Sequence, residues 1–265
     1  MSAAIEPGYD GQNVFRTYVR TSTDDGLTWS PPREITRGTK RPTGATTVCS
    51  GPGSGIQLTR GAHQGRILLP FNEGPFWEWN NYAAWSDDGG HSWQYGADVP
   101  GVMLRDSTGR RRSQVNEVQF VELADGSVRL NSRRFAGRPF RKTAVSRDGG
   151  ATWSGVEDVP ELRDPSCMAS IVRISFASGD APGRIFYSGP DAADRTRGTV
   201  HVSYDDGKSW PVKRVLEAGS FAYSSLAVLG DGAVGCLYET DGTDRMVFAR
   251  FSPSWVEEGD VDEAR

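Results

Sequence analysis

One eight-residue pattern occurs four times in this chain and limits what it can fold into. Residues 22–29 read STDDGLTW, 86–93 SDDGGHSW, 146–153 SRDGGATW and 203–210 SYDDGKSW. All four fit S-x-D-x-G-x-x-W, and their first residues stand 64, 60 and 57 positions apart. A near-regular internal repeat fixes the architecture before any single residue does. Each copy follows a short alternating run of the kind that forms a strand (residues 17–21, 82–85, 142–145 and 199–202), so a strand runs into a turn. Within that turn the Asp can accept hydrogen bonds from backbone N–H groups, and the Gly supplies a conformation with φ > 0. The Trp folds back as an apolar plug whose indole N–H can still find a partner. The octets satisfy their own polar groups, so they read as structural staples and not as four ligand sites.

The strands between the octets complete the pattern. Residues 15–21 and 33–36 flank the first octet, and a Gly/Pro/Thr-rich connection over 37–55 follows. Strands are expected at 56–60, 66–71, 82–85 and 94–99, then at 118–123, 128–132, 142–145 and 156–159. The next set is 170–175, 184–188, 199–202 and 212–216, and the chain closes with 225–229, 234–238 and 246–251. The unit is therefore four antiparallel strands with the octet at the hairpin between the third and fourth. Units of this size arrayed around an axis are the blades of a β-propeller. A two-sheet sandwich would match the strand count but not the regular octets. The count, two strands, three whole units and three strands, describes a propeller of about four to five blades, cut at its front, within one domain spanning 1–265.

Composition narrows the function classes. At 265 residues the chain can bury a substantial core. A net charge of −4 gives no general attraction for nucleic acid. The basic run Arg110-Arg111-Arg112 is local and reads as a solvated loop. Three cysteines (Cys49, Cys167, Cys236), odd in number and far apart, indicate neither a disulfide framework nor a zinc site. No metal or other cofactor is expected. No apolar run reaches membrane-spanning length, and residues 1–11 lack the apolar core of a signal peptide. The expectation is a cytoplasmic protein, or a secreted one if an upstream segment is missing; a monomer is expected.

With the octets on one edge of each blade, chemistry should come from the other loops. Four residues stand out there. Glu117 opens a strand in the run NEVQ, and spacing alone reads equally well as a surface carboxylate. Arg133 ends the strand 128–132, with Arg134 on the opposite face and one of the two expected in solvent. Arg195 lies in the loop 189–198, where a lone arginine is usually a surface charge. Tyr223, in SFAYS, is a strand-edge tyrosine that could simply be packing.

Taken together, these segments resemble a known family. The octets have the form of Asp boxes. Together with GPGSGIQL (51–58), NEVQFVELADGSVRLNSR (116–133) and GSFAYSSL (219–226) they look like the bacterial exo-α-sialidases, six-bladed propellers that remove terminal sialic acid from glycans. The resemblance runs from about residue 15 to 251. It implies that Tyr223 is the nucleophile, Glu117 the group that activates it, and Arg133 and Arg195 two of the three arginines that hold the substrate carboxylate. The family's first arginine and its acid/base aspartate have no match here. The implied partner is a sialylated glycan. A non-catalytic sialoglycan-binding propeller, or an inactive fragment, is the alternative. In the loop EGPFWEWN (73–80), Trp77 could form an apolar wall for the sugar or its N-acetyl group, or pack over a neighbouring blade.

Overall fold

The computed structural model describes residues 5–259. Four sheets follow one another in sequence order, and each is laid out as a blade from its innermost strand outward. In blade 1, Thr47–Ser50, Ile67–Gly74, Asn80–Ser86 and Gln94–Tyr95 lie side by side, and Ile56–Gln57 adds to Ile67–Gly74. Blade 2 comprises Val115–Glu122, Val128–Arg134, Phe140–Ser146 and Glu157–Arg163. Blade 3 comprises Ser170–Ser175, Arg184–Pro190, Thr196–Ser203 and Val212–Ser220. Blade 4 has three strands, Ser224–Val228, Val234–Thr240 and Arg245–Phe251. Ahead of them a two-stranded piece, Tyr18–Val19 with Arg33–Glu34, carries the first octet. This is an incomplete propeller of four blades and part of another. Paired strands run antiparallel and are joined by hairpins, except that in blade 1 Ile56–Gln57 continues the line of Thr47–Ser50 along the same neighbour.

The octets behave as local geometry dictates. In the second copy the Ser86 hydroxyl donates to Asp88 (2.7 Å) and accepts from Gly90 N (2.7 Å), while Asp88 accepts from Ser92 N (2.8 Å) and its hydroxyl (2.5 Å). The same contacts recur in the other three copies. The octet glycine sits at φ 84° (Gly26), 90° (Gly90), 94° (Gly150) and 79° (Gly207), where a Cβ would be strained.

The tryptophans differ among the copies for a tertiary reason. The octet of each blade packs against the blade before it: Gly150 faces Leu68 and Ala83 of blade 1, and Gly207 faces Arg129 of blade 2. Trp153 and Trp210 are accordingly buried, at 7% and 6% exposure, in the cores shared by adjacent blades. Trp29 is 57% exposed, since among the described residues no sheet stands in front of it. The indole N–H of Trp29 and of Trp93 donates to the carbonyl of its own octet's Gly (3.0 and 3.1 Å), whereas those of Trp153 and Trp210 are buried without a partner. The indole N–H thus finds its partner in the two copies whose ring lies nearer solvent and not in the two buried ones.

The inner strands are stitched to one another near the axis. Gln119 Oε1 of blade 2 accepts from Ile171 N (3.0 Å) and the Ser170 hydroxyl (3.2 Å) of blade 3, and Ser170 Oγ accepts from Leu226 N (2.9 Å) of blade 4. Blade 1 approaches so closely that a Cβ on Gly51 would lie 2.1 Å from the Val118 carbonyl, which only glycine accommodates.

Several expectations change. The connection 37–55 contains the inner strand Thr47–Ser50, hidden in sequence because only one of its four side chains is buried. A helical turn, Thr36–Thr39, begins at the last residue of the strand expected over 33–36, which shortens to Arg33–Glu34, and runs into this connection. The strand expected over 15–21 shortens to Tyr18–Val19. The basic run is not a simple solvated loop: Arg111–Ser113 pairs with Met103–Arg105, Arg111 is bridged to Glu78 (3.1 Å), and Arg112 to Asp106 (3.2 Å). No helix among the described residues is long and apolar enough to cross a membrane.

Candidate active site

In an antiparallel blade, the start of the first strand, the end of the second and the start of the third share one edge, and the octet hairpins occupy the other. Glu117 lies near the start of Val115–Glu122 and Arg133 near the end of Val128–Arg134. Arg195 immediately precedes Thr196–Ser203, and Tyr223 immediately precedes Ser224–Val228. Blades 2, 3 and 4 therefore each deliver groups to the edge opposite the octets.

Local irregularities aim these side chains. The pairing of Val115–Glu122 with Val128–Arg134 shifts register between Val115 and Val118, a bulge that re-aims Asn116 and Glu117. The Ser132 hydroxyl fills the broken ladder, accepting from Asn116 N (3.2 Å) and donating to the Glu117 carbonyl (3.2 Å). The Arg195 carbonyl accepts from Phe221 N (2.9 Å), tying its loop to the segment that carries Tyr223. Glu239 brackets that segment, donating from its N to the Tyr223 carbonyl (2.9 Å) and accepting from Tyr223 N (3.2 Å).

The result is a compact polar cluster. Tyr223 Oη donates to Glu117 Oε1 at 2.6 Å, a short charge-assisted bond. Arg133 Nη1 donates to both Glu117 Oε2 (2.7 Å) and Tyr223 Oη (2.9 Å). The Arg195 guanidinium lies over the Tyr223 ring, 5.4 Å from its centre, and donates to the Ser166 carbonyl (3.1 Å). Glu117 and Arg133 side chains are 18% and 19% exposed, so the pair is shielded but reachable. Burial, with the hydrogen bond and charge of Glu117, pushes the Tyr223 phenol up against the opposing pull of Arg133 and Arg195. Burial disfavours the charge on Arg133, but the Glu117 carboxylate more than offsets it. The phenol is therefore neutral at rest, and its proton faces a carboxylate that can take it as a bond forms at oxygen. A hollow of about 150 Å³ opens beside Tyr223, bounded by Pro52, Gly53, Met168, Leu237 and Glu239. A larger hollow of about 460 Å³ lies at the axis among Ile56, Gln119, Ile171 and Leu226, and does not include the phenol.

Four of the five sequence-selected residues thus converge. Trp77 stands apart from that cluster, at φ 81° in an exposed aromatic group with Phe76 (4.7 Å) and Phe135 (5.4 Å), under the Arg112 guanidinium (4.5 Å). Arg134 is half-buried, not solvated, because its N–H and guanidinium both turn to Asp164. Ser132, Glu239, Asp164 and Ser166 went unnoticed in the sequence, since nothing about an isolated serine or a surface-type carboxylate marks it. Cys49 is a further neighbour: its side chain reaches the surface, but the protein packed around its thiol displaces part of its solvent, and this first, then the charge of Glu117, raises the thiol pKa. Among the described residues no group of three or more His, Cys, Asp or Glu is placed to hold a metal ion.

Successive antiparallel sheets carrying Asp-box hairpins between their third and fourth strands, with a phenol, a carboxylate and two guanidiniums at the opposite edge, define a repeat-built β-propeller with a polar site on one face. The chain belongs to the BNR repeat-like domain family, whose model matches residues 3–236, and within it to the sialidases. It is 38% identical over 264 residues to a sialidase of Micromonospora viridifaciens, the match covering 96% of this chain and 38% of that protein. It is 28% identical over 242 residues to a sialidase of Bacteroides fragilis, covering 88% of this chain and 41% of that one. The solved structure of the Hadza microbial sialidase Hz136 superposes with a TM-score of 0.79 at 26% identity, over 95% of this chain and 47% of that one. The chain thus spans less than half the length of each of these relatives.

Proposed function

We propose that this chain acts on terminal sialic acid as an exo-α-sialidase, with Tyr223 as nucleophile and Glu117 as its base. The observation that carries this reading is the 2.6 Å bond from Tyr223 Oη to Glu117 Oε1, with Arg133 Nη1 donating to both partners. Sialic acid bears a carboxylate on its anomeric carbon, so a carboxylate nucleophile would approach like charge, whereas a neutral phenol does not. Tyrosine is accordingly the exception that sialidases make among glycosidases. Tyr223 Oη bonds to the anomeric carbon as its proton passes to Glu117, and the glycosidic C–O bond breaks with its electron pair leaving on the aglycone oxygen. Water then displaces the tyrosyl oxygen, which takes back the proton held by Glu117, while the proton that water loses passes through solvent to the aglycone oxygen; two inversions retain the configuration. Arg133 and Arg195 hold the substrate carboxylate through guanidinium forks that lysine cannot reproduce. Trp77 and its aromatic neighbours, on the same edge, offer an apolar surface to the sugar or its N-acetyl group. An aryl sialoside, whose leaving group needs little protonation, tests the reading: the chain should release the aryl alcohol and Tyr223→Phe should abolish the release. A Tyr223→Phe protein that keeps the full rate would sink the nucleophile assignment.

A second reading is a sialoglycan-binding propeller without turnover. It is favoured by the lack of a match for the family's first arginine and acid/base aspartate. It predicts sialoside binding dependent on Arg133 and Arg195 with no product released.

A further inference from the structure

Outside the four converging residues, one buried node touches the supports of both arginines. Asp164 and Arg141 are each only 1% exposed and form an ion pair at 3.0 Å. Asp164 Oδ2 also accepts from the backbone N–H of Arg134 (2.6 Å), one residue beyond Arg133, and Oδ1 accepts from Cys167 N (2.9 Å). Arg141 in turn donates to the Cys167 carbonyl (2.8 Å) and to Asn131 Oδ1 (2.9 Å) on the strand that carries Arg133. The turn closed by these bonds places Ser166 at φ 61°, a left-handed conformation that serine adopts only when its surroundings impose it. In that conformation the Ser166 carbonyl receives Arg195 Nη2 at 3.1 Å.

A buried ion pair is poor value as a stabilising device, because removing two charges from water costs about as much as their attraction returns. Its geometry is nonetheless rigid, since each carboxylate oxygen is claimed by a fixed donor. We infer that Asp164, clamped by Arg141, is a positioning residue that sets the spacing between Arg133 and Arg195, and through it the affinity of the site for a carboxylate-bearing sugar. This rests on the proposed role of those two arginines. Asp164 touches no substrate; it acts through the end of the Arg133 strand on one side and the Ser166 carbonyl on the other.

The test is calorimetric binding of a sialic acid 2,3-ene analogue to the full chain and to Asp164→Asn, Arg195→Ala and the double variant. Asparagine keeps the shape but turns an N–H₂ toward one of the three donors. D164N should bind at least tenfold more weakly than the unsubstituted chain, yet weaken binding less than threefold in the R195A background, since with one arginine gone there is no spacing left to set and only the hold on the Arg133 strand remains. An equal loss in both backgrounds would mean a merely structural role and overturn the inference, as would a folded D164N with unchanged affinity. If D164N does not fold, Arg141→Lys keeps a cation at the carboxylate but cannot also serve Cys167 and Asn131, and should weaken binding at least threefold. A folded R141K that binds like the parent overturns the inference. Failure of the unsubstituted chain to bind at all would instead remove the proposed function, and this inference with it.

Discussion

Tyr223 and Glu117 stand 106 positions apart in the chain, yet their side-chain oxygens are 2.6 Å apart across two blades. That contact joins the first strand of blade 2 to the entry of blade 4, and Arg133 closes it into a triangle. A neutral phenol held against a carboxylate and a guanidinium has an acceptor for its proton in place, as the proposed nucleophilic role of Tyr223 requires.

Arg133→Lys should be far from conservative. One guanidinium nitrogen serves both Glu117 and Tyr223, and an ammonium on a flexible stem cannot also meet a planar carboxylate bidentately. Charge-assisted hydrogen bonds contribute about 1.5–3 kcal/mol each, so sialoside affinity should fall roughly 10- to 100-fold, at about 1.4 kcal/mol per decade. Titration calorimetry checks it; a change within twofold contradicts the role.

Cys49 offers a probe of Glu117 that needs no substrate. The Cys49 side chain reaches the surface, and the charge of Glu117 adds to partial desolvation in raising its thiol pKa. Removing that charge lowers the pKa and enlarges the thiolate fraction at neutral pH. Glu117→Gln should therefore speed alkylation of Cys49 by iodoacetamide at pH 7.5. Cys167 and Cys236, buried with thiols pushed up to about 12, should stay unmodified in the native protein. Equal rates in parent and variant would show that the two groups are not electrostatically coupled.

The octet carboxylates predict an acid limb to stability. The Thr28 hydroxyl and amide hold Asp24 down at about 2, and the Ser92 hydroxyl and amide depress Asp88 likewise. For Asp148 burial acts upward, but Thr152 and Ser146 together outweigh it and leave the group lowered. Groups with depressed native pKa values stabilise the fold above their unfolded pKa, near ~3.9, and lose that contribution as pH falls through the native value. Urea midpoints should be level above pH 5 and fall from about pH 4 toward pH 2. Asp148→Asn should flatten that slope, and an unaltered slope would place the acid-sensitive groups elsewhere.

The four octet tryptophans should not be equivalent. Trp153→Ala opens a cavity between blades 1 and 2 and should cost about 3–5 kcal/mol. Trp29→Ala removes a ring that is 57% exposed and should change stability by about 0.5 kcal/mol or less. Chemical denaturation of both variants measures the difference; similar losses would mean that Trp29 is covered in solution.

Legibility in the sequence followed how each feature is encoded. Strands with alternating or continuous apolar runs, such as Val128–Arg134 and Arg184–Pro190, were visible, and so was the blade order. The inner strand Thr47–Ser50 was not, because it lies in a Gly/Pro-rich stretch and buries only Val48. Glu117, Arg133, Arg195 and Tyr223 stood out by their place opposite the octets, but only the resemblance to the sialidases gave them roles, since each alone reads as a surface charge or as simple packing. Asp164 gave no signal at all, because its partners come from three separate segments.

What the sequence determined by itself is whatever closes within a few residues. The Ser–Asp–Gly–Trp turns form from hydrogen bonds inside their own octets, and their spacing repeats the blade. The tertiary structure alone decided which octet tryptophan is buried, how the bulge at Asn116 and Glu117 aims the carboxylate, and that Arg133 reaches Glu117 and Tyr223 together. Those outcomes depend on strand register and on one blade stacking against the next. Both are set by packing between segments far apart in the chain, so no local pattern could carry them.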